Sequence, residues 1–508
     1  MRERNYRNIF KTERNLKQIA ILGIIFLLIL IGGKTRVFGA ALIVVLSCLG
    51  MLNWRYLFYL GLVLTPIKVI WLTNAGFNLQ LNHIVLVGAI LGALFDKKSG
   101  LFIESGKFEF RILIGLCVLL ISSFQSVYIP ADPLVILGAV RNYPWIKSLG
   151  RVLFVVFLVC IALFVKSFIR DKKRLISVLR CLFFSSAVYS LIGLFCFVLF
   201  FFIPNNWIVK LIIISSGDEF QRIKVFEWEP LFFGSYLLTI VPLVFSAVFS
   251  NNTAIMNKKL LRYICAADVL ALFFTFSRGV WAGFLVAMAF LILNQQRNFF
   301  QFIAVFLRAK LVQAFECIKK NYVKSTIVCF SSVILLFFMR KSLKSFFFYL
   351  VYYPIVGAVS PHTGKFWSTK LRLLTIDQGL NAFYSHPFFG IGYENFSFYS
   401  GNTFIPGFLG QFFAINHPEI NSLPFKILIE TGSIGFLVIF LLLAKSMWEL
   451  LNLLKKTKST KNAFILRGVI GCVIGVGVNS VFFSNVSSTY LWVLLGILLS
   501  LINTTNKK

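Results

Sequence analysis

Four stretches of the chain gather groups able to bind anions or move protons. The first, Gln221-Arg222-Ile223-Lys224-Val225-Phe226-Glu227-Trp228-Glu229-Pro230, sets two cations and two carboxylates ahead of a proline that opens an apolar run. Glutamate near a helix start is also favoured by the helix dipole alone, so a solvated loop end stays open as a reading. The second, Thr275-Phe276-Ser277-Arg278-Gly279-Val280-Trp281, joins two apolar runs with almost no connector. An arginine held by two short tethers is placed to grip a phosphate, because its planar fork donates two parallel bonds and keeps its charge. Snorkelling from a helix end is the blander alternative.

The third stretch runs from Leu371-Arg372 to Asn381-Ala382-Phe383-Tyr384-Ser385-His386-Pro387-Phe388-Phe389-Gly390-Ile391-Gly392. Its spacing predicts an amphipathic helix over 366–384, ended by the His-Pro and Gly-x-Gly turn. That Gly-x-Gly is no nucleotide loop, since no strand precedes it and no helix follows it in register. In the fourth, Asn416-His417-Pro418-Glu419 leads to Glu430-Thr431-Gly432-Ser433-Ile434-Gly435 at the top of an apolar run. A lone histidine is weak evidence of catalysis; an ionisable Glu430 at membrane depth is the stronger functional flag.

The elements that must position these groups are membrane helices. The chain of 508 residues is 58% hydrophobic and 14% charged, against about 25% charged for a soluble domain. Runs long enough to cross a bilayer, about 17–25 residues each, number roughly fourteen. They centre on 18–33, 37–53, 56–72, 80–96, 111–129, 149–169, 179–203, 231–250, 260–276, 279–294, 325–339, 424–444, 463–483 and 486–503. The net charge of +33 sits mostly in breaks between these runs, such as Arg170-Asp171-Lys172-Lys173-Arg174 and Lys455-Lys456-Thr457-Lys458. The excess of Lys and Arg in cytoplasmic loops accounts for such breaks, so nucleic acid is not the expected partner. With both termini inside, every major basic cluster falls inside, and 130–148, 204–230 and 340–423 fall outside. The basic Met1–Lys17 segment reads as the lead of an uncleaved first helix. Phe299–Lys320 reads as an amphipathic helix on the inner leaflet. Asp268 lies deeper, facing a bundle interior or a polar cavity. No cysteine pair has metal spacing, and the outer loops hold no acidic metal cluster.

Taken in order, the four stretches resemble the bacterial O-antigen ligase and O-antigen polymerase superfamily over about residues 220–445. Arg222 with Glu229-Pro230, the Ser277-Arg278-Gly279 turn, the Pro387-Phe388-Phe389-Gly390-Ile391-Gly392 element and the Glu430-Thr431-Gly432-Ser433-Ile434-Gly435 helix start carry the resemblance. Where the family places a His-Asn pair nine residues before that glutamate, this chain has Asn421-Ser422, and His417 lies four residues earlier. That shift favours a polymerase over a ligase.

The resemblance implies an all-α polytopic protein of the bacterial cytoplasmic membrane, with 12–14 spans and a GT-C-like architecture. One transmembrane domain covers 1–508, with a core at 220–445 and a large extracytoplasmic loop at 340–423. It implies transfer of glycan from a polyprenyl-diphosphate donor to a glycan or lipid-linked acceptor, without metal or other cofactor, alongside proteins of polysaccharide assembly. Arg278 and Arg222 would clamp the diphosphate, His417 or Glu229 would take the acceptor's proton, and Arg372, Lys224, Glu227 and Glu430 would bind substrate. A ligase acting on a lipid core is the alternative within the family. A lipid-linked oligosaccharide flippase is the competing class, but it would show related halves and a charged central cavity. A membrane scaffold is the third class.

Overall fold

The computed structural model describes residues 53–96, 107–128, 144–250, 255–294, 364–406, 412–457 and 463–506, apart from short gaps within these ranges. The expected spans at 18–33 and 325–339, most of that at 37–53, and the amphipathic segment Phe299–Lys320 lie outside the described residues.

Helix α1 covers 53–63, and a hairpin of β1 (Ile70–Leu72) and β2 (Leu79–Gln80) leads to α2 (Leu81–Phe95). Helices α3 (Lys107–Phe124), α4 (Pro144–Phe168), α5 (Lys172–Phe200) and the short α6 (Trp207–Ile212) follow. A second hairpin pairs β3 (Ile213–Ser215) with β4 (Gln221–Ile223), Ile214 opposite Arg222. Then come α7 (Pro230–Leu238), α8 (Val241–Phe249), α9 (Lys258–Phe274) and α10 (Arg278–Asn294). After the undescribed stretch lie α11 (Gly364–Ser385), the one-turn α12 (Phe396–Tyr399), and a third hairpin of β5 (Asn402–Pro406) and β6 (Phe412–Asn416). The chain closes with α13 (Leu423–Thr457), α14 (Ala463–Phe482) and α15 (Thr489–Asn506).

Six helical segments among the described residues are long and apolar enough to cross a membrane, and α2, α10 and α15 are shorter apolar helices. This is a multi-pass membrane protein, mostly helical. Two details depart from the sequence reading. The run at 56–72 is not one helix: α1 stops at 63 and the chain is extended by Ile70. Among the described residues, three two-stranded hairpins accompany the helices of this mostly helical fold. A hairpin satisfies backbone groups that an interrupted helix would leave unpaired.

The expected span 231–250 is broken into α7 and α8, because Pro242 lacks an N–H and crowds the preceding turn. Thr239 Oγ1 caps the break by donating to Tyr236 O at 2.7 Å. Close packing of α10 on α14 comes from glycines at four-residue spacing. A Cβ on Gly283 would lie 2.3 Å from Gly475 O, and one on Gly279 would lie 2.9 Å from Asn479 Oδ1. Lipid supplies no hydrophobic drive between helices, so such small-residue contacts let backbones approach and gain dispersion energy. Asp268, on α9, accepts from Ser186 Oγ at 2.8 Å and Ser190 Oγ at 2.7 Å, both on α5. Two hydroxyls thus satisfy it inside the bundle.

Candidate functional site

The turn between α9 and α10 is the centre of the site. Thr275 ends α9, Phe276 takes a left-handed φ of 48°, and Ser277 O accepts from Trp281 N at 3.0 Å to begin α10. A helix end leaves carbonyls without partners, and a bulky residue at positive φ is strained. Arg222 answers both: its Nε donates to Thr275 O at 3.0 Å, and one terminal nitrogen reaches Phe276 O and Ser277 Oγ at 3.4 Å each. Strand β4 is thereby tied to the turn, and the exposed Arg278 is presented at the first position of α10.

Arg222 lies within electrostatic reach of Glu229, Arg278 and Arg372, and Arg372 within reach of Arg278 and Glu229. Arg222 and Arg372 therefore each sit between the guanidinium of Arg278 and the carboxylate of Glu229 in electrostatic terms. Burial, together with the neighbouring Arg278 and Arg372, pushes Arg222 down to about 10 despite Glu229. Burial and Arg278 likewise push Arg372 down, and Glu229 opposes them. Each of these guanidinium groups thus sits in the field of its like-charged neighbours.

Beside this mouth lies an apolar cavity of about 200 Å³ between α7, α13, α14 and α15. Asn479 forms part of its wall and also touches Gly279, the residue after Arg278. Its Nδ2 donates to Ser235 Oγ at 2.8 Å. Phe483, Leu491, Trp492 and Leu495 complete the apolar side.

A second constellation forms where the third and fourth stretches meet. Gly432 breaks α13, with φ 70° and ψ −177°. An unbroken helix would pair Ser433 N with Ile429 O and Ile434 N with Glu430 O. Instead Ser433 N donates to Pro387 O at 2.8 Å and Ile434 N to Phe388 O at 3.3 Å. The two freed carbonyls accept from Ile391 N at 3.2 Å and Gly392 N at 3.0 Å. Ser122 Oγ adds a bond to Glu430 O at 2.6 Å. The loop and the kink complete each other's hydrogen bonds.

Glycine is required at both contacts. Gly390 has φ 70°, and a Cβ there would lie 2.4 Å from the Glu430 carbonyl carbon; one on Gly432 would lie 2.3 Å from Phe388 O. Ala382, Ile391, Phe396, Ile420 and Ile429 form a small core beneath this interlock. Lys426 Nζ meets Glu394 Oε1 at 2.8 Å, and Lys147 Nζ donates to Ser397 Oγ at 2.6 Å. Burial raises the Glu394 carboxyl, but Lys426, Arg151 and Lys147 outweigh it and hold Glu394 down at about 2.

Of the residues singled out in the sequence, Arg222, Arg278, Arg372 and Glu229 converge on the mouth. Lys224 is half-buried, and its amide bonds to Ile212 O. Glu227 is 3% exposed and pairs with Lys68 at 3.3 Å. Glu430, 1% exposed, sits within the interlock. His417 lies outside the described residues. His386 is exposed and closes the end of α11, its amide bonding to Ala382 O and Phe383 O. Sequence reasoning missed Lys68, Lys147, Arg151 and Lys426. Each is a single cation within or beside an apolar stretch, and only three-dimensional pairing singles them out. Among the described residues, no three His, Cys, Asp or Glu side chains converge as metal ligands would.

No curated protein matches the chain. Residues 263–440 match the family model described as O-Antigen ligase. The matched stretch begins within α9, takes in the arginine turn, α11 and the interlock, and ends in the kinked helix. That match makes residues 263–440 similar to an O-antigen ligase-like superfamily.

Proposed function

We propose that this protein transfers oligosaccharide units from a polyprenyl-diphosphate carrier to a growing glycan at the extracytoplasmic membrane face, as a surface-polysaccharide polymerase. Glycan transfer in surface polysaccharide assembly is the broader activity that the family match suggests. The observation that carries the reading is the mouth, where Arg222 and Arg372 lie within electrostatic reach of both Arg278 and Glu229. Departure of a lipid diphosphate places negative charge on its bridging oxygen, and preorganised guanidinium groups stabilise charge where it develops. Arg278 and Arg372 contact the diphosphate, while Arg222 holds the turn and adds its field. Glu229, exposed at the start of α7, or His417 accepts the proton from the acceptor hydroxyl. Lys224 rims the site. The buried Glu227 and Glu430 act by holding the surrounding backbone.

The apolar cavity beside Gly279 takes the first part of the isoprenoid chain, since its walls match that chain's chemistry. In this arrangement 220–445 is the working core of a single GT-C-like transmembrane domain at 1–508. The 340–423 segment closes over the mouth from outside, and both chain termini are cytoplasmic. Asn421-Ser422, in place of the family's His-Asn pair, favours a polymerase over transfer to a lipid core.

The test is reconstitution in liposomes with a polyprenyl-diphosphate oligosaccharide. Polymer from the native chain, and none from Arg278→Ala, is the expected outcome. Translocated lipid-linked sugar without polymer would establish the flippase, and glycan joined only to a lipid core would establish the ligase.

A further inference from the structure

Two of the mouth's four charged groups, Arg222 and Glu229, come from outside the matched region 263–440. They bracket one short loop between β4 and α7, so whatever holds that loop sets half of the mouth. Val225, at its centre, is fully buried with φ 52°, a strained conformation for a β-branched residue. From one side, Ile212 O accepts from both Lys224 N and Val225 N at 2.9 Å. From the other side the loop is held by Lys68.

Lys68 lies in the extended stretch after α1 and is 9% exposed. Its amide donates to Phe226 O at 3.3 Å. Its ammonium meets Glu227 Oε2 at 3.3 Å, lies 3.3 Å from the centroid of the Phe232 ring, and reaches Ser488 Oγ at 3.5 Å. One side chain thus ties α1 to the loop, to the first turn of α7 and to the residue ahead of α15. Asn82 Nδ2 and the His83 ring close this layer through Thr489 Oγ1, at 2.9 and 2.7 Å. The field of Glu229 also reaches Lys68, which links the layer to the mouth.

Such a pair is a poor device for stability alone. Desolvating an ammonium and a carboxylate offsets most of their attraction, and two apolar side chains of similar volume could fill the space as well. Burial pushes Glu227 up to about 7 against the pull of Lys68. What the pair supplies and apolar packing does not is direction. A cation pinned over one ring and a carboxylate aimed at it fix the loop's register.

We propose that Lys68 and Glu227 are a positioning pair that sets Arg222 and Glu229 against Arg278 and Arg372, and so shapes the mouth for a diphosphate. The proposal rests on reading the mouth as the diphosphate site. Neither residue touches the ligand.

The experiment uses the full chain in lipid nanodiscs with inorganic diphosphate as the probe. Affinity is read by calorimetry, loop order by amide hydrogen exchange, and folding by thermal unfolding. Lys68→Met strands the carboxylate and lowers the unfolding temperature; Lys68→Met with Glu227→Met removes the stranded charge and restores it. In both variants affinity falls about tenfold, the penalty expected of misplaced binding groups. Exchange at Lys224, Val225 and Glu227 quickens in both, while α7 amides beyond its first turn keep their native rates. Native affinity and native loop exchange in the double variant would overturn the positioning role. Arg278→Gln separates the two levels of the argument: if it binds diphosphate as tightly as the native chain, the mouth reading fails and takes the proposal with it. If it loses binding, the Lys68 variants decide the proposal on their own.

Discussion

The mouth and the interlock use charge in opposite ways. At the mouth, Arg222 and Arg372 lie within reach of Glu229 and of the exposed Arg278. In the interlock, Lys147, Arg151 and Lys426 lie among Glu394, Glu419 and Glu430, and the central pair joins a buried Lys426 to a part-buried Glu394. Balanced charges hold two segments of the same chain together. Unbalanced charges leave a place for a ligand to supply what is missing. Both regions are built from basic side chains beside glutamates, so residue type alone cannot tell them apart.

The comparison can be broken most forcefully at Lys426. Lys426→Met removes the salt-bridge partner of the part-buried Glu394 and is expected to cost stability up to about 3–5 kcal/mol, measured by thermal unfolding in nanodiscs. Activity should fall only as far as folded protein is lost. The same contact fails in acid. Glu394 is held at about 2 in the folded chain against an ordinary value of 4.5. Its stabilising effect is complete above about pH 5 and is lost as pH falls through 4.5 towards 2. Hydrogen exchange over 386–399 should accelerate in that window; unchanged protection at pH 3 would sink the idea that Glu394 holds the loop.

Arg278→Ala should do the reverse. Glycan transfer is expected to drop by about 10²–10³, roughly 3–4 kcal/mol of transition-state stabilisation, with the unfolding temperature unmoved. A variant that loses stability and activity together would erase the distinction between the two regions. Gly390→Ala is a smaller probe of the interlock. It forces a side chain into the Glu430 carbonyl at a left-handed position and should cost about 1–3 kcal/mol, read by unfolding and by loosened exchange at Ser433 and Ile434. Asp268→Asn belongs to neither region. With Ser186 and Ser190 able to reorient toward an amide, it should cost about 1 kcal/mol or less and leave transfer unchanged; loss of transfer at native stability would make Asp268 a relay.

Much of this was legible in the sequence. Alternation of apolar runs with basic breaks outlined the spans, because the bilayer imposes both a length and a charge bias on them. Helix α11, expected over 366–384, runs Gly364–Ser385. Glu229-Pro230 opens α7 with glutamate at the cap and proline in the first turn. The break at Thr239 and Ile240 and the extended chain after residue 63 were not anticipated. Hydropathy averages over the single proline and the local pairing that cause them.

The site divides in the same manner. Arg222, Arg278 and Arg372 were flagged one by one, but the bond from Arg222 to the turn that presents Arg278 is a contact between residues more than fifty positions apart. Gly390 and Gly432 lie in motifs that read as two separate turns; that each fills the other's missing hydrogen bonds is visible only once both are in place. Lys68 carried no signal, since a lysine beside an apolar run is ordinary.

The sequence by itself determined the solvent of the fold, the chemical kinds of group available and the order of the motifs, because these follow from composition, period and local backbone preference. Only the tertiary structure decided which charges are paired and which are left unbalanced. That decision depends on distances and burial between segments far apart in the chain, where the electrostatics of a low-dielectric interior outweigh local preference.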